Sequence, residues 1–465
     1  MPPVIALILT LLFIAYLFKR EFQQPYAPSG AMLLPCLYML ILGSRSVSQW
    51  VHLGTPISGG DIEEGSPLDR AVYFTLMIGG LIVLSKRQVS WSQVFRNNKW
   101  LFLFFLYCGI SIFWSDFPFV GFKRWFKGVG DPIMMLIILT DREPIKAAQF
   151  MLKTCIYVLI PLSILFIKYY PHLGRGFSEW GPGYNTGVTT NKNLLGFVLM
   201  VSGLFLIWRL SARWRAGSKG SKWVDDVGIP LLLLGMVGWL FRQADSKTSL
   251  IGFILGSCIL LSLGLRHVQK PFGTYLIVGV FIFPLMQVSF DIYGAVLQGA
   301  GRDSTLTGRT ELWQVLLRMD PKPIFGHGFE SFWLGDRLRT LHQLYYFKPT
   351  QAHNGYIEVY LNLGVVGLCF LVGLLLSSYF RLREQVASTL EMSETGSFAR
   401  FGMAFLATYI VYNYTEGAFK SLHFLFIIFL LCTMKYPLRQ QRLAQSSSLS
   451  LPQGTEPIRR VTGVM

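Results

Sequence analysis

Residues 355–380, GYIEVYLNLGVVGLCFLVGLLLSSYF, decide the fold class of this chain. They hold one charged side chain, Glu358, in a stretch longer than the roughly 20 residues that an α-helix needs to cross a bilayer core. Similar apolar stretches recur from end to end and predict helices near 3–18, 31–43, 71–85, 100–114, 125–140, 147–168, 194–209, 227–241, 249–265, 272–290, 355–380, 401–414 and 422–434. We therefore predict an all-α polytopic membrane protein of about 12–13 transmembrane helices, with one large extracytoplasmic loop that carries short amphipathic helices.

The composition supports a membrane protein and excludes an ordinary soluble enzyme. Of 465 residues, 52% are hydrophobic and 14% are charged, and the mean hydropathy is +0.45. The six cysteines lie in apolar segments without a CxxC pair, so we interpret them as packing residues. Because the external loops hold no HExxH, DxD or paired Cys/His set, we expect no metal and no other cofactor.

Clusters of lysine and arginine in alternate loops predict the orientation of the chain. The net charge is +17, and positive-inside topology explains this charge better than a nucleic-acid partner. Loops 266–271 and 381–400 are then cytoplasmic, and the long loop 291–354 between them is extracytoplasmic. We expect a transmembrane domain over 1–440, with its N-terminus outside, and a disordered cytoplasmic tail over 441–465. Basic residues on the outer side suit either an anionic lipid-linked substrate or the headgroups of membrane lipids.

The first candidate for chemistry is His353 in Ala352-His353-Asn354-Gly355-Tyr356. If a helix begins at His353, then Gly364 and Gly367 share its face, and small residues there allow a neighbouring helix to approach closely. An accessible histidine titrates near neutrality and suits a general base. The alternative is a histidine at a helix start that only hydrogen-bonds a loop.

The second candidate is Arg309, in Thr307-Gly308-Arg309-Thr310-Glu311-Leu312-Trp313. Apolar residues at helical spacing predict a short amphipathic helix here on the membrane surface, with Arg309 in its first turn. The arginine charge opposes the helix dipole there, and a bound anion would relieve that conflict. The alternative is a solvated arginine on a polar face.

Further cations and aromatic side chains complete the set of candidates. The turn from Arg242 to Ser249 contains Lys247 and hydroxyls, a pattern typical of a phosphate grip and equally of a snorkelling helix end. Lys192 closes the Gly-rich loop 169–193, which is either part of a sugar cleft or a series of turns. Trp313 and the other aromatics of the long loop either stack on sugars or anchor the loop at the interface.

Several of these motifs together resemble the O-antigen ligase and polymerase superfamily. His353-Asn354, then Gly364-x-x-Gly367, is similar to the histidine motif of the O-antigen ligases. Gly308-Arg309 with Trp313, Pro323-x-x-Gly326-x-Gly328 and Ala352-His353-Asn354 resemble the long loop of the wider superfamily, including exopolysaccharide polymerases.

This resemblance implies an inverting, metal-independent glycosyltransferase at the outer face of a bacterial inner membrane, with its active site facing the periplasm. The donor would be a glycan on a polyprenyl diphosphate, and the acceptor a sugar hydroxyl, including one on a lipid A core. His353 matches the proposed catalytic histidine and Arg309 a diphosphate-binding arginine. Lys247 or Arg242 matches a second phosphate ligand. Asn354, Lys192 and Trp313 are the further residues that we expect to bind substrate, and other polysaccharide-assembly proteins are expected partners.

Two alternatives stay open at this point. Ligation of finished polymer and polymerisation of repeat units fit the motifs equally. A lipid-linked oligosaccharide or polysaccharide flippase is the main alternative outside enzymes, and it should show repeats or cations deep in the membrane. Only Lys153 and Asp131 lie near the middle of predicted helices.

Overall fold

The structure, a computed structural model, describes residues 1–51, 66–176, 183–216, 223–265, 268, 309–319, 321–388 and 394–436. Its first helices are α1 (Pro3–Phe22), α2 (Leu33–Leu42), α3 (Val47–Val51), α4 (Pro67–Lys86), α5 (Trp91–Asn97), α6 (Lys99–Ile110), α7 (Pro118–Gly128), α8 (Gly130–Leu139), α9 (Pro144–Tyr169) and α10 (Pro171–Gly174). The remaining helices are α11 (Lys192–Ala216), α12 (Ile229–Ala244), α13 (Lys247–Ser262), α14 (Arg309–Arg318), α15 (Gly335–Leu344), α16 (Gly355–Ser388), α17 (Glu394–Tyr412) and α18 (Phe424–Thr433). Within these ranges the strands are the short pair Arg175–Gly176 and Tyr184–Asn185.

The predicted all-α polytopic membrane class is confirmed. In the described part of the chain, six helical segments are long and apolar enough to cross a membrane: Pro3–Phe22, Pro67–Lys86, Pro144–Tyr169, Lys192–Arg215, Val224–Ala244 and Gly355–Ala387. Four shorter apolar segments accompany them. The predicted helix 272–290 and the predicted tail 441–465 lie outside the described residues.

Within the described ranges, neighbouring helices cover most of the central helices, whereas α1 lies at the edge. In the apolar windows of α9 and α11, 72% and 78% of the residues are buried, against 11% in α1. In α18, every residue except Cys432 is buried. Since lipid is as apolar as leucine, an edge helix can leave its side chains exposed to the membrane while the centre is packed by other helices.

One predicted span, 125–140, is instead two helices. The amphipathic helix α7 ends at Gly128 and α8 begins at Gly130, two residues before Pro132. A proline is tolerated in the first turn of a helix, where its missing N–H has no intrahelical acceptor, but it disrupts a helix interior. The sequence therefore starts a new helix here instead of continuing the first.

Both charged residues predicted near mid-helix have partners. Lys153 donates from Nζ to Glu21 Oε1 at 2.7 Å. Asp131 accepts from the backbone N–H of Leu422 at 3.0 Å and from the hydroxyl of Tyr38. Buried charges cost little only when they are paired or hydrogen-bonded, and both residues meet that condition.

Helix α16 is interrupted at Gly364, which has φ +66° and ψ −166°. The segment Pro323–Gly328 pairs with the opened backbone: Val365 N donates to Pro323 O at 2.8 Å, and Gly328 N donates to Asn362 O at 2.8 Å. A Cβ on Gly364 would lie 2.2 Å from the carbonyl oxygen of Ile324. Glycine is required because a left-handed backbone and a close backbone approach coincide.

This break overturns the prediction that His353, Gly364 and Gly367 share one helical face. The helix begins at Gly355, and His353 itself has φ +51°. Angular arithmetic at 100° per residue holds only along an uninterrupted helix. Gly364 serves instead to join the long loop to α16.

Helices α1 and α9 run antiparallel, because Phe18 contacts Tyr157 and Phe22 contacts Phe150. The start of α1 therefore lies at the end of the bundle where α9 finishes. The opposite end holds the ion pair of Arg20 with Asp225, at 2.8 Å.

Candidate active site

A buried carboxylate, Glu416, joins three parts of the chain at one end of the bundle. His353 Nδ1 lies 3.2 Å from Glu416 Oε2, and Arg309 Nη2 lies 3.3 Å from Oε1. Asn193 Nδ2 donates to Oε1 at 3.2 Å. The two residues predicted to be catalytic, His353 and Arg309, are thus brought together by a third that the sequence analysis did not select.

Glu416 is held by the turn that follows α17. Gly355 N, at the start of α16, donates to Asn413 O at 2.7 Å and to Glu416 O at 3.2 Å. Asn413 Oδ1 accepts from Ala418 N at 2.8 Å and so closes the turn. A Cβ on Gly355 would lie 2.2 Å from Asn413 Oδ1, so only glycine allows α16 to start this close to the turn.

The backbone on the N-terminal side of His353 is held from two directions. Trp313 Nε1 donates to Ala352 O at 2.7 Å, and Ala352 N donates to Glu358 Oε1 at 2.5 Å. Trp333 Nε1 donates to the other oxygen of Glu358 at 2.8 Å. His353 is a non-glycine residue at φ +51°, a sparsely populated conformation that persists only where surrounding contacts impose it.

Asn354 caps helix α16. Its Oδ1 accepts from Tyr356 N at 3.0 Å and from Ile357 N at 3.1 Å. The side chain of a buried N-cap asparagine is thus engaged with backbone N–H groups of the first turn. Asn354 and Trp313 make contacts that hold the His353 segment in place, and their binding of substrate stays a prediction.

The geometry at His353 leaves Nε2 as its basic nitrogen. All hydrogen bonds of the His353 ring to described residues involve Nδ1. Because the Glu416 carboxylate accepts hydrogen bonds, Nδ1 carries the proton and donates a hydrogen bond to Oε2. The side chain of His353 is partly exposed, so Nε2 can meet a substrate hydroxyl.

A cavity of about 180 Å³ lies beside this cluster. Gln351, which approaches His353 Nδ1 at 3.4 Å, lines it together with Trp333 and the cations Arg124 and Lys420. Aromatic walls with a few polar and charged groups are typical of small-molecule sites and suit a sugar. Lys420 and Gln351 were not selected from the sequence.

The remaining predicted cations lie around the same end of the bundle. Lys192 is the first residue of α11, next to Asn193. Lys247 begins α13, whose Ser249 Oγ lies 2.8 Å from the hydroxyl of Tyr412, near the end of α17. Arg242 is exposed on the last turn of α12 and forms no hydrogen bond or ion pair with a described residue.

Both terminal nitrogens of Arg309 contact protein acceptors. Nη1 donates to Thr415 O, and Nη2 is paired with Glu416. The guanidinium therefore fixes the Glu416 turn. Its predicted bidentate grip on a diphosphate would require an exchange of these partners, and that grip stays a prediction.

Asp116 forms a second polar cluster. It lies 2.8 Å from Arg337 Nη2, 3.7 Å from His327 Nδ1 and 3.4 Å from Lys322 Nζ. Partial burial acts to raise the pKa of Asp116, but the hydrogen bond and charge of Arg337 and the charge of Lys322 outweigh it, and the pKa lies below its ordinary value. This cluster ties the long loop to the segment between α6 and α7.

Fold and site together define a polytopic membrane protein with a histidine–carboxylate pair at one end of its helical bundle. Residues 188–372 match the family model described as O-antigen ligase, a range that includes Lys192, Arg309 and His353. This match agrees with the resemblance to the O-antigen ligase family that the motifs predicted. Glu416 lies beyond the matched range.

Two named relatives agree with the family. The chain is 25% identical over 362 residues to the exopolysaccharide production protein ExoQ of Rhizobium meliloti, covering 73% of this chain and 78% of that protein. It is 26% identical over 196 residues to a protein of Rickettsia typhi provisionally named a polysaccharide ligase, covering 39% of this chain and 46% of that protein.

Glu416 could have been found from the sequence with one further rule. It is the only acidic residue in the short segment between the apolar helices predicted at 401–414 and 422–434. An acid in a short turn between two membrane helices is a candidate for function, because a buried charge there must have a partner. The partner, however, comes from another part of the chain.

Proposed function

We propose that this protein is a membrane glycosyltransferase of polysaccharide biosynthesis, of the ligase or polymerase type. It transfers a glycan from a polyprenyl diphosphate to a sugar hydroxyl at the outer face of the inner membrane. The observation that carries the proposal is the contact of His353 Nδ1 with Glu416 Oε2 at 3.2 Å, in a chain whose residues 188–372 match the O-antigen ligase family.

The pair supports general-base catalysis. Nε2 of His353 accepts the proton of the acceptor hydroxyl while the hydroxyl oxygen forms a bond to the anomeric carbon. The bond from that carbon to the diphosphate oxygen breaks, its electron pair leaves with the diphosphate, and the configuration inverts. Glu416 orients the ring and stabilises the imidazolium that forms, as a carboxylate does for a catalytic histidine elsewhere.

Cations around the site suit the leaving group. Lys192, Lys247 and the cavity residues Arg124 and Lys420 supply positive charge near the end of the bundle where the reaction is proposed. A diphosphate is already a stable leaving group, so fixed cations can supply the electrostatic stabilisation that remains, and the proposed reaction is metal-independent. Arg309 acts in this scheme chiefly by holding Glu416.

The flippase alternative draws no support from the charged residues within the helices. Lys153 is neutralised by Glu21, and Asp131 is hydrogen-bonded by Tyr38 and Leu422. A transport pathway needs polar groups that exchange partners with a substrate.

Assay of the purified protein in detergent separates the enzyme from a transporter. We expect a polyprenyl-diphosphate glycan and a sugar acceptor to yield a new glycosidic bond and free polyprenyl diphosphate, because transfer needs no membrane potential or second compartment. If no bond forms while the same protein moves the lipid-linked glycan across liposomes, the enzyme proposal is wrong. Glycolipids of a deletion strain then distinguish the two types: loss of a ligase leaves long glycan on the carrier, and loss of a polymerase leaves single repeat units.

Cysteine labelling tests the proposed side of the membrane. In a cysteine-free background, a cysteine at Arg339, whose side chain is 76% exposed on α15, should react with a membrane-impermeant reagent in cells with a permeabilised outer membrane. A cysteine at the exposed position Arg383 should react only after lysis. The reverse pattern would put the site on the cytoplasmic face.

A further inference from the structure

A groove between α4 and α7 lies outside the active-site cavity. Its volume is about 330 Å³, at the small end of the range for ligand pockets. Helix α4 contributes Arg70, Phe74 and Met77 to its walls, and α7 contributes Phe126 and Lys127. The mechanism proposed above uses none of these residues, so the groove needs a separate explanation.

The spacing along α4 gives the groove one charged end and one apolar end. Arg70, Phe74 and Met77 follow one another at intervals of four and three residues, so they share one face of the helix. Met77 lies about 10 Å further along the axis than Arg70, at 1.5 Å per residue. Arg70 is in the first turn of a helix that is long and apolar enough to cross a membrane. The charged end is therefore at the bundle surface, and the apolar end points towards the membrane interior.

Helix α7 has the character of a helix at the membrane surface. Phe119, Phe122 and Phe126 recur at helical spacing, and all three are exposed. Lys123 Nζ lies 4.8 Å from the centre of the Phe119 ring, and Lys127 follows one turn later. Exposed aromatic side chains beside lysines are typical of amphipathic helices at the boundary between lipid headgroups and acyl chains. We therefore expect the groove to open at the depth of the lipid phosphates.

The apolar part of the groove ends where α4 meets α8. Phe126 stands 6.4 Å from Phe74 between ring centroids, and Met77 is buried beyond them. A Cβ on Gly80 would lie 2.7 Å from Ile133 of α8, so the two helices pack directly together there. The trough is thus open at its charged end and closed at its apolar end.

The acids near the open end are engaged by other groups. Asp69 accepts from Ser48 N at 2.9 Å and from Ser48 Oγ at 2.6 Å. Glu330 Oε2 lies 3.9 Å from Arg124 Nε. Among the described residues, the buried Nε of Arg70 has no hydrogen-bond partner. A buried N–H without an acceptor is costly, and an anion bound in the groove would supply the acceptor.

Lys127 lies among further positive charges. Burial has the largest effect on the pKa of its ammonium, and the charges of Arg124 and Arg70 act in the same direction. These effects outweigh the opposing charges of Glu330 and Asp69, so the pKa of Lys127 lies below its ordinary value. A bound anion would stabilise the charged form of Lys127 and reduce the repulsion between the cations.

We propose that this groove binds an anionic phospholipid from the membrane leaflet at this end of the bundle. The lipid phosphate meets Arg70, Lys123 and Lys127, and the first part of one acyl chain lies along Phe74 and Met77. A zwitterionic phospholipid also carries a cationic group, which the three cations of the protein would repel. A free phosphate would leave the apolar trough without an apolar occupant.

The groove is related to the active-site cavity because α7 contributes to both. Arg124 lines that cavity and donates from Nη1 to Glu330 O at 2.7 Å. A Cβ on Gly128, the last residue of α7, would lie 2.6 Å from Ser421 Oγ, so the end of the helix packs on the turn after α17. A phospholipid on another face of α7 therefore holds in place a helix that supports the cavity.

Lipid binding to the purified full-length protein tests the groove without any transfer assay. In native mass spectrometry, phosphatidylglycerol should bind more tightly than phosphatidylcholine or inorganic phosphate. The double variant Arg70→Gln, Lys127→Gln should bind phosphatidylglycerol roughly 10- to 30-fold more weakly, at about 1 kcal/mol per basic residue near an anionic lipid surface. The matched control Arg339→Gln, Lys348→Gln loses the same charge at exposed positions outside the groove and should bind normally.

A second variant fills the groove without removing charge. Ala71 is exposed and lines the groove, so Ala71→Trp should fold normally and still weaken binding of phosphatidylglycerol. Thermal melting gives an independent measure, because a ligand that binds only the folded state raises the melting temperature. Phosphatidylglycerol should raise the melting temperature of wild type and control, and raise that of the two groove variants less.

Three results would overturn the inference. Equal binding of phosphatidylglycerol by the groove variants and the control would place the lipid elsewhere. Phosphatidylcholine or inorganic phosphate binding as tightly as phosphatidylglycerol would show that the groove does not select an anionic lipid. A dimer that Ala71→Trp abolishes, seen in the same mass spectra, would show that a second copy of the chain covers the groove.

Discussion

Two clusters that each contain a histidine, an arginine and a carboxylate lie at one end of this bundle, and they differ in which member is exposed. In each, a carboxylate stands between a histidine and an arginine: Glu416 between His353 and Arg309, and Asp116 between His327 and Arg337. In the first, the histidine side chain is 29% exposed and the carboxylate 5%. In the second, the order is inverted, with the histidine 2% exposed and the carboxylate 38%.

The inversion assigns different tasks to the same three groups. An exposed histidine backed by a buried carboxylate presents a base to a substrate. A buried histidine behind an exposed carboxylate has no route to one, and the cluster then serves to tie the long loop to the helices. Accessibility, and not residue type, separates the proposed active site from an anchoring contact.

Replacing each of the two histidines with alanine should give the largest difference in transfer rate between the two clusters. His353→Ala removes the base, and we expect transfer to fall by roughly 10² to 10⁴-fold with little change in melting temperature. His327→Ala empties a buried position and should cost about 1 to 3 kcal/mol of stability, with the transfer rate per folded molecule retained. Transfer rates and melting curves of both variants in detergent test this difference. A stable His353→Ala protein with normal transfer would show that His353 is not the base.

Substitution of the two carboxylates should also affect the transfer rate differently, but by less than substitution of the histidines. Glu416→Gln keeps the shape but loses the charge that stabilises the imidazolium, so the rate should drop by roughly 10²-fold, the low end for acid–base catalysis. Asp116→Asn should leave the rate within about twofold, since Asp116 lies outside the reacting groups. Steady-state kcat reports the difference, with the exposed acid Glu311→Gln as a control. Equal losses for Glu416 and Asp116 would mean that both clusters are structural.

The backbone junction at Gly364 links the anchoring cluster to α16, and its loss should lower stability. Gly364→Ala forces a side chain into a left-handed backbone and against the Ile324 carbonyl, at a cost of about 2 kcal/mol or more. Gly235→Ala, where an added Cβ meets nothing within 4 Å, should be neutral or slightly stabilising. Melting temperatures of the two variants test this, and a stable Gly364→Ala protein would show that α16 can close without its break.

Acid should weaken the Asp116 cluster, and this is the smallest expected effect. Because the folded pKa of Asp116 is lowered, its contribution is complete above the ordinary pKa of about 3.9 and disappears as the pH falls through the lower folded value. Since Asp116 is 38% exposed, solvent screening keeps the contribution below about 1 kcal/mol. The melting temperatures of wild type and Asp116→Asn should converge as the pH falls below about 4. A gap that widens in acid would show the opposite sign of coupling.

The sequence alone determined the class of the protein and most of its helices. The helix predicted at 147–168 is α9, Pro144–Tyr169, and that predicted at 355–380 is most of α16. Hydropathy predicts these elements because each span must be apolar and must satisfy its own backbone hydrogen bonds within the lipid. Both requirements are local to the segment. The motifs around His353 and Arg309 likewise predicted, from short stretches, the family whose model residues 188–372 match.

Only the tertiary structure decided what the selected residues contact. In that structure Glu416 contacts His353, which is 63 positions away in sequence. Asn354 caps a helix, and α16 is interrupted at Gly364. These outcomes depend on which distant segment supplies the carboxylate, the donor or the approaching backbone. A local sequence pattern indicates that a polar group needs a partner, but the packing of the whole bundle selects that partner. The same packing sets the exposure of each side chain. This exposure distinguishes His353, which can act as a base, from the buried His327.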